Sequence, residues 1–181
     1  MRASPPVASV QTTDTTARAA GIPVHLSIPK IGVDTKIEQV GITPQGALDA
    51  PYGPRTAGWF YLGPRPGEIG SAVIDGHAGF KGGIPAIFDD LDKLVPGDMI
   101  YVEDEDGNVI PFIVRTSTMY GEHDPTAEVF NSTDGKAHLN LITCEGIWNK
   151  ETKSYSHRLV VMADMLVDRS SLTDSPVQER S

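Results

Sequence analysis

The stretch Leu139-Asn140-Leu141-Ile142-Thr143-Cys144 is an apolar run ending on the chain's single cysteine. On a strand, Asn140 and Cys144 are four apart and so share a face. Fourteen residues after Cys144, Arg158 heads a second strand-like run, Arg158-Leu159-Val160-Val161-Met162-Ala163. Upstream, Ala72-Val73-Ile74 breaks into Asp75-Gly76-His77-Ala78-Gly79. A thiol, an imidazole and a guanidinium therefore each stand at the edge of a predicted strand. A thiolate is a nucleophile, an imidazole moves protons, and a guanidinium holds negative charge on oxygen. Together they are the parts needed to attack a carbonyl. A sole cysteine without that company reads as a small buried hydrophobe.

Outward from these runs the pattern is mostly strand. Residues 24–33 and 35–42 read as two short strands, with Pro29 marking an edge or kink. Residues 57–62 and 70–75 read as two more, the second a continuous apolar run and so a central strand. Apolar positions Ile84, Ile87, Phe88, Leu91 and Leu94 recur at spacings of three and four, which predicts a short amphipathic helix over 84–94. Residues 99–103 and 109–119 flank Glu105-Asp106-Gly107-Asn108, a hairpin turn signal. Residues 127–131 read as one helical turn. The runs 139–144 and 158–166 complete about eight strands, a count that suits a barrel or a sandwich.

A chain of 181 residues holds one core. Hydrophobic residues at 39% and charged residues at 22% describe an ordinary globule, and 18 Gly with 14 Pro suit many turns between strands. The net charge of −9, with no Lys/Arg cluster, excludes nucleic acid as a partner. One cysteine excludes an internal disulfide and a cysteine-based metal site. The acids Asp89, Asp90, Asp92 and those over 103–106 show no EF-hand spacing and read as solvated charge. No stretch reaches the roughly 18 to 20 apolar residues of a membrane span, and no signal-peptide apolar region is seen. Residues 1–22, rich in Thr, Ala, Ser and Pro, read as a flexible linker or stalk; 168–181 read as a polar tail.

Leu141-Ile142-Thr143-Cys144, the Asp75-Gly76-His77 turn and Arg158, in that chain order of His, Cys and Arg, resemble the sortases, cysteine transpeptidases of the bacterial cell surface. The resemblance extends over about residues 24–167. One departure is visible: sortases usually read Thr-Leu-x-Thr-Cys, and Asn140 stands where the first threonine would be. The resemblance implies an all-β fold, the closed eight-stranded sortase barrel with one or two short helices, over a catalytic domain at 23–167. It implies Cys144, His77 and Arg158 as catalytic residues, with Thr143 and the backbone N–H of Glu145 meeting the substrate. The implied partners are a Leu-Pro-x-Thr-Gly-like sorting-signal peptide and an amine acceptor from a peptidoglycan precursor or a pilin.

The implied location is the outer face of the bacterial membrane, with contact to the membrane only through an N-terminal anchor missing from this sequence. No cofactor is implied. Some sortases hold calcium on acids before the histidine strand and before the cysteine strand. Here the first region offers only Glu68, whereas Glu122, Asp124 and Glu128 lie in the second, so no metal is expected. The Asp75–Gly79 and Thr143–Gly146 signatures look closest to class F sortases.

Two other classes fit parts of the sequence. Papain-type peptidases place the cysteine before the histidine and on a helix, the reverse of His77 and Cys144. Cysteine-dependent peptidoglycan cross-linking enzymes carry a histidine one or two residues before the nucleophile, where this chain has Ile142 and Thr143. A non-catalytic surface domain would bury Cys144 as a core thiol. His157, next to Arg158, would point to the opposite strand face, and His25, His123 and His138 have no catalytic context.

Overall fold

The computed structural model describes residues 20–121, 123–149 and 154–167. The linker read over 1–22 falls outside them except for 20–22, and the tail read over 168–181 falls outside them entirely. Eight strands form one closed barrel: β1 (Pro23–Ile28), β2 (Val33–Val40), β3 (Ala57–Phe60), β4 (Gly70–Gly76), β5 (Met99–Asp104), β6 (Val109–Gly121), β7 (Ala137–Asn149) and β8 (Ser154–Met165). Around the barrel they run β1-β2-β3-β4-β7-β8-β6-β5, and β5 closes onto β1. The β2–β3 and β4–β7 pairs are parallel; the others are antiparallel. Closure leaves no free sheet edge.

Strand alternation makes two apolar layers. Leu139, Leu141, Ile74, Ala72, Val161 and Phe112 join the main core inside the barrel. The alternate positions Val73, Ile142, Val160 and Met162 form an outer cluster with Tyr120 and Val129. That outer cluster is covered by the single described α-helix, α1 (Ala127–Phe130), which packs against β4. The first strand stops at Ile28, short of the expected 33: Pro29–Ile31 is a 3-10 turn closed by Gly32 at φ 65°. The 105–108 turn links β5 to β6, with Gly107 at φ 80°.

The expected helix over 84–94 does not form. Only Leu91–Lys93 makes a 3-10 turn. The apolar spacing still brings Phe88, Leu91 and Leu94 into the core. The amides that would bond within a helix are taken elsewhere: Ile87 N–H donates to the Pro54 carbonyl and Phe88 N–H to that of His77. Burial of the apolar side chains against the barrel thus outweighs the local helical pattern. Not all the acids are solvated charge either. Asp89 accepts the N–H groups of Gly79 (2.7 Å) and Ala86 (2.9 Å). Asp104, 3% exposed, accepts those of Asp106, Asn108 and Gly21 and the Asn108 side-chain amide. Both carboxylates fasten turns.

Candidate active site

Register along β7 and β8 assembles the site. Cys144 is the cross-strand partner of Arg158, and Arg158 is the partner of Tyr120 on β6. Partners in a ladder share a face, so thiol, guanidinium and phenol form one row. A second row, Asp75–Ile142–Val160, crosses β4, β7 and β8 beneath it. All six residues line a cleft of about 660 Å³ on the outside of the barrel. Val129 and Phe130 of α1 and the small residues Gly46, Ala47 and Ala50 complete its walls. A smaller apolar hollow of about 300 Å³, lined by Ile42, Leu48, Phe60 and Phe130, adjoins it and shares Gly46, Leu48 and Phe130. Cys144 is half-buried and free, not sealed in the core.

The electrostatics favour an uncharged Cys144 thiol at rest. Burial pushes the Cys144 thiol up; Arg158 pulls it back down, and the charge of Asp75 pushes it up further. Burial likewise raises the Asp75 carboxyl to about 7. The Gly76 N–H and Arg158 counteract this, and Asp49 adds to it. Arg158 Nη1 donates to the carbonyls of Tyr155 and His157, both at 3.0 Å. Burial and the neighbouring Glu128 push the Tyr120 phenol up to about 12, so it stays a hydrogen-bond donor.

His77 sits just past the end of β4. Extended by two residues, the parallel β4–β7 register, which pairs Asp75 with Ile142, brings His77 level with Cys144. Its ring is not part of the cleft lining. Nε2–H donates to the Pro51 carbonyl at 2.8 Å, and the ring stands edge-on to Phe80 at 5.1 Å. The turn that carries it is fixed from three sides. The Thr143 hydroxyl donates to the Gly76 carbonyl at 2.7 Å, Phe88 N–H donates to His77, and Asp89 holds Gly79. Gly76 has to be glycine, because a Cβ there would meet the Phe88 ring at 2.4 Å.

Thr143 itself is buried at 1% exposure and lies outside the cleft lining. It joins the cysteine strand to the histidine turn. Glu145 continues β7 opposite His157. His157 is exposed and bonded to the Ser156 hydroxyl.

Two features were not legible in the motifs. In the sequence Asp75 reads only as part of the turn before His77, yet it lines the cleft. His138 lies buried between Asp164 (2.7 Å) and Asp134 (3.0 Å) at the far end of β7, a structural tie whose acids are 26 and four residues away. Of the acids before the cysteine strand, Asp124 accepts the Gly121 N–H and Glu128 the Tyr120 hydroxyl, while Glu122 lies outside the described residues. Among the described residues no three His, Cys, Asp or Glu side chains converge as metal ligands, and no helix is long and apolar enough to cross a membrane.

A model of the sortase domain matches residues 26–166. The fold is similar to that of sortase C-1 from Actinomyces oris, with a TM-score of 0.59 and 23% identity over 81% of this chain and 76% of that one. It is equally similar to a Clostridium perfringens sortase D5 transpeptidase, with a TM-score of 0.60 and 24% identity over 81% and 79% of the two chains. Sortase A from Corynebacterium diphtheriae gives 0.59 and 22% over 84% and 65%. No curated protein sequence matches the chain. The structural likenesses, spread over several sortase classes, carry the barrel alone. The domain match spans most of the sequence and encloses the cleft with its cysteine, and on that match the chain belongs to the sortase family of cysteine transpeptidases.

Proposed function

We propose that residues 23–167 cleave a Leu-Pro-x-Thr-Gly-like signal between Thr and Gly. The acyl part would then pass to an amine of a peptidoglycan precursor or a pilin, at the outer face of the bacterial membrane. The observation that carries this reading is the cross-strand pairing of Cys144 with Arg158 on the wall of the 660 Å³ cleft. The Cys144 thiol passes its proton to His77 as its sulfur attacks the Thr carbonyl carbon, and Arg158, with the Glu145 N–H, holds the oxyanion. The C–N bond then breaks and His77 gives its proton to the departing glycine amine, leaving a thioester on Cys144. An incoming amine loses a proton to His77 and forms the new amide, and as the C–S bond breaks His77 returns that proton to the sulfur, which regenerates the thiol. Two moderate barriers replace one large one. Water can take the place of the amine, so slow hydrolysis accompanies transfer. Thr143 acts from behind the cleft, keeping the turn of His77 against the strand of Cys144. The apolar hollow beside Phe130 suits the leucine of the signal. The Asp75-Gly76-His77-Ala78-Gly79 and Thr143-Cys144-Glu145-Gly146 signatures support class F.

The test is intact-mass spectrometry of the chain mixed with a signal peptide, with and without an amine. A thioester adduct on the wild type, absent from Cys144→Ala, is expected, with cleaved and transferred products in the supernatant. His77→Ala should lose nearly all turnover while His157→Ala keeps it. Turnover of the peptide by a folded Cys144→Ala variant would overturn the reading. Failure of a peptide-shaped methanethiosulfonate to label folded Cys144 would point instead to a non-catalytic domain.

A further inference from the structure

Asp75 is the sole acidic group and Arg158 the sole basic group among the described residues that line the cleft; the rest of the lining is neutral. The Leu, Pro, Thr and Gly of the signal proposed above carry no charge for Asp75 to meet. Arg158 directs Nη1 to two backbone carbonyls, and Asp75 joins none of the ion pairs among the described residues. A largely buried carboxylate beside a nucleophile raises the thiol's energy of ionisation, a cost to acylation. The one obligatory cation of the reaction is the ammonium of the acceptor, which has to reach the thioester on Cys144. Asp75 neighbours Ile142 across the parallel β4–β7 ladder, and Ile142 and Cys144 lie on one face two residues apart.

We infer that Asp75 is the acceptor-binding residue, its carboxylate receiving the ammonium group of the incoming amine beside the Cys144 thioester. This rests on the transpeptidase mechanism above. The role is binding by a charge-assisted hydrogen bond; the ammonium releases one proton to solvent to become the nucleophilic amine, and His77 takes the next and passes it to the departing sulfur. The charged or titratable groups around Asp75 are Arg158 from β8, Cys144 from β7 and Asp49 from the segment after β2. An arriving ammonium compensates the hydration that Asp75 lacks and stabilises its charged form. Asp75 thereby becomes a selector for amines that arrive as cations, such as the N-terminus of an oligoglycine or a lysine side chain, over water.

The experiment offers the purified chain one signal peptide together with triglycine, whose amine arrives as an ammonium, and hydroxylamine, which is neutral at pH 7.5. The ratio of the two transfer products is read by mass spectrometry for the wild type, Asp75→Asn, Asp75→Ser and Asp75→Glu. The triglycine-to-hydroxylamine ratio should fall about ten- to hundredfold in Asp75→Asn and Asp75→Ser, the loss expected for one hydrogen bond to a charged group. Asp75→Glu should recover part of it. A ratio unchanged from the wild type overturns the inference whatever happens to total turnover, because equal loss of both products marks an effect on acylation. A fall seen only with signals bearing Lys at the variable position overturns it in favour of signal recognition. Absence of any thioester on the wild type overturns the transpeptidase mechanism, and this inference with it.

Discussion

Cys144 rests as a thiol in the free chain, because the half-buried site disfavours its charge and Asp75 adds to that while Arg158 opposes it. Alkylation of the free chain by iodoacetamide should therefore accelerate only above the ordinary thiol value of 9.0. Asp75→Asn should move that rise to lower pH and Arg158→Ala to higher pH; shifts of the opposite sign would mean that the two charges do not face the sulfur. Arg158 is best separated from a plain structural arginine by kinetics. A guanidinium that meets the oxyanion acts in the transition state, so Arg158→Ala should lower kcat by about 100- to 1000-fold and leave KM close to the wild type. Arg158→Lys keeps the charge without the planar fork and should restore only part of the rate. Near-normal kcat with a lowered Tm would reassign Arg158 to holding the carbonyls of Tyr155 and His157.

Among the elements, α1 is fastened to the barrel by two polar ties, the Tyr120 hydroxyl to Glu128 and Asn140 to the Val129 carbonyl. Asn140 is 2% exposed and donates Nδ2–H to the Val129 carbonyl at 2.6 Å, which fastens the helix over β7. Its own Oδ1 is buried with no partner among the described residues, a cost that an apolar residue would not carry. Asn140 stands where sortases usually have threonine, whose shorter side chain reaches less far. Val129 and Phe130 line the cleft, so loosening α1 should act on peptide binding. Asn140→Ala should raise KM for the signal peptide about fivefold, the equivalent of about 1 kcal/mol, with kcat changed less. Equal losses in kcat and KM would place the effect on the cysteine strand itself. The same element shows what periodicity reads well. Residues 127–131 were legible as one helical turn, whereas 84–94 showed a stronger helical pattern and formed none, because its amides found partners in Pro54 and His77.

At the scale of the whole molecule, three carboxylates act on stability in opposite directions. Asp104 is held low: burial alone would raise it, but hydrogen bonds from Asn108, Gly21 and Asp106 together prevail. Asp134 is held well below the usual carboxylate range, first by His138 and then by the Lys136 N–H and Ser132. A depressed acid contributes stability above its unfolded value, about 3.8, and loses it as pH falls through the folded value. Asp75 has the other sign. Its folded value of about 7 favours the neutral form, so its contribution is complete below pH 3.8 and is lost as pH rises through 7. Thermal melts from about pH 3 to 8 should separate them. Relative to the wild type, Asp75→Asn should gain Tm as pH rises from about 4 to 7, and Asp104→Asn should show its full Tm deficit above about pH 4 and a smaller one as pH falls toward 3. If Asp75→Asn melts with the wild type at every pH, Asp75 is well hydrated and its raised value is wrong.

The sequence by itself determined the strands, their number and the family. Strand runs, Pro29, Gly107 and the residues around Cys144, His77 and Arg158 are local signals, since alternation and turn geometry act over a few residues. Tertiary structure alone decided three things. Closure of β5 onto β1 chose a barrel over a sandwich. The parallel β4–β7 ladder carried Asp75 across 67 positions of sequence to the face of Cys144, and made the Asp75–Gly79 segment more than a turn. Packing of Phe88 and Leu91 into the barrel displaced a helix that local spacing favoured. Each depends on hydrogen bonds or apolar burial between residues far apart in the chain, and their partners are chosen only when the whole barrel closes.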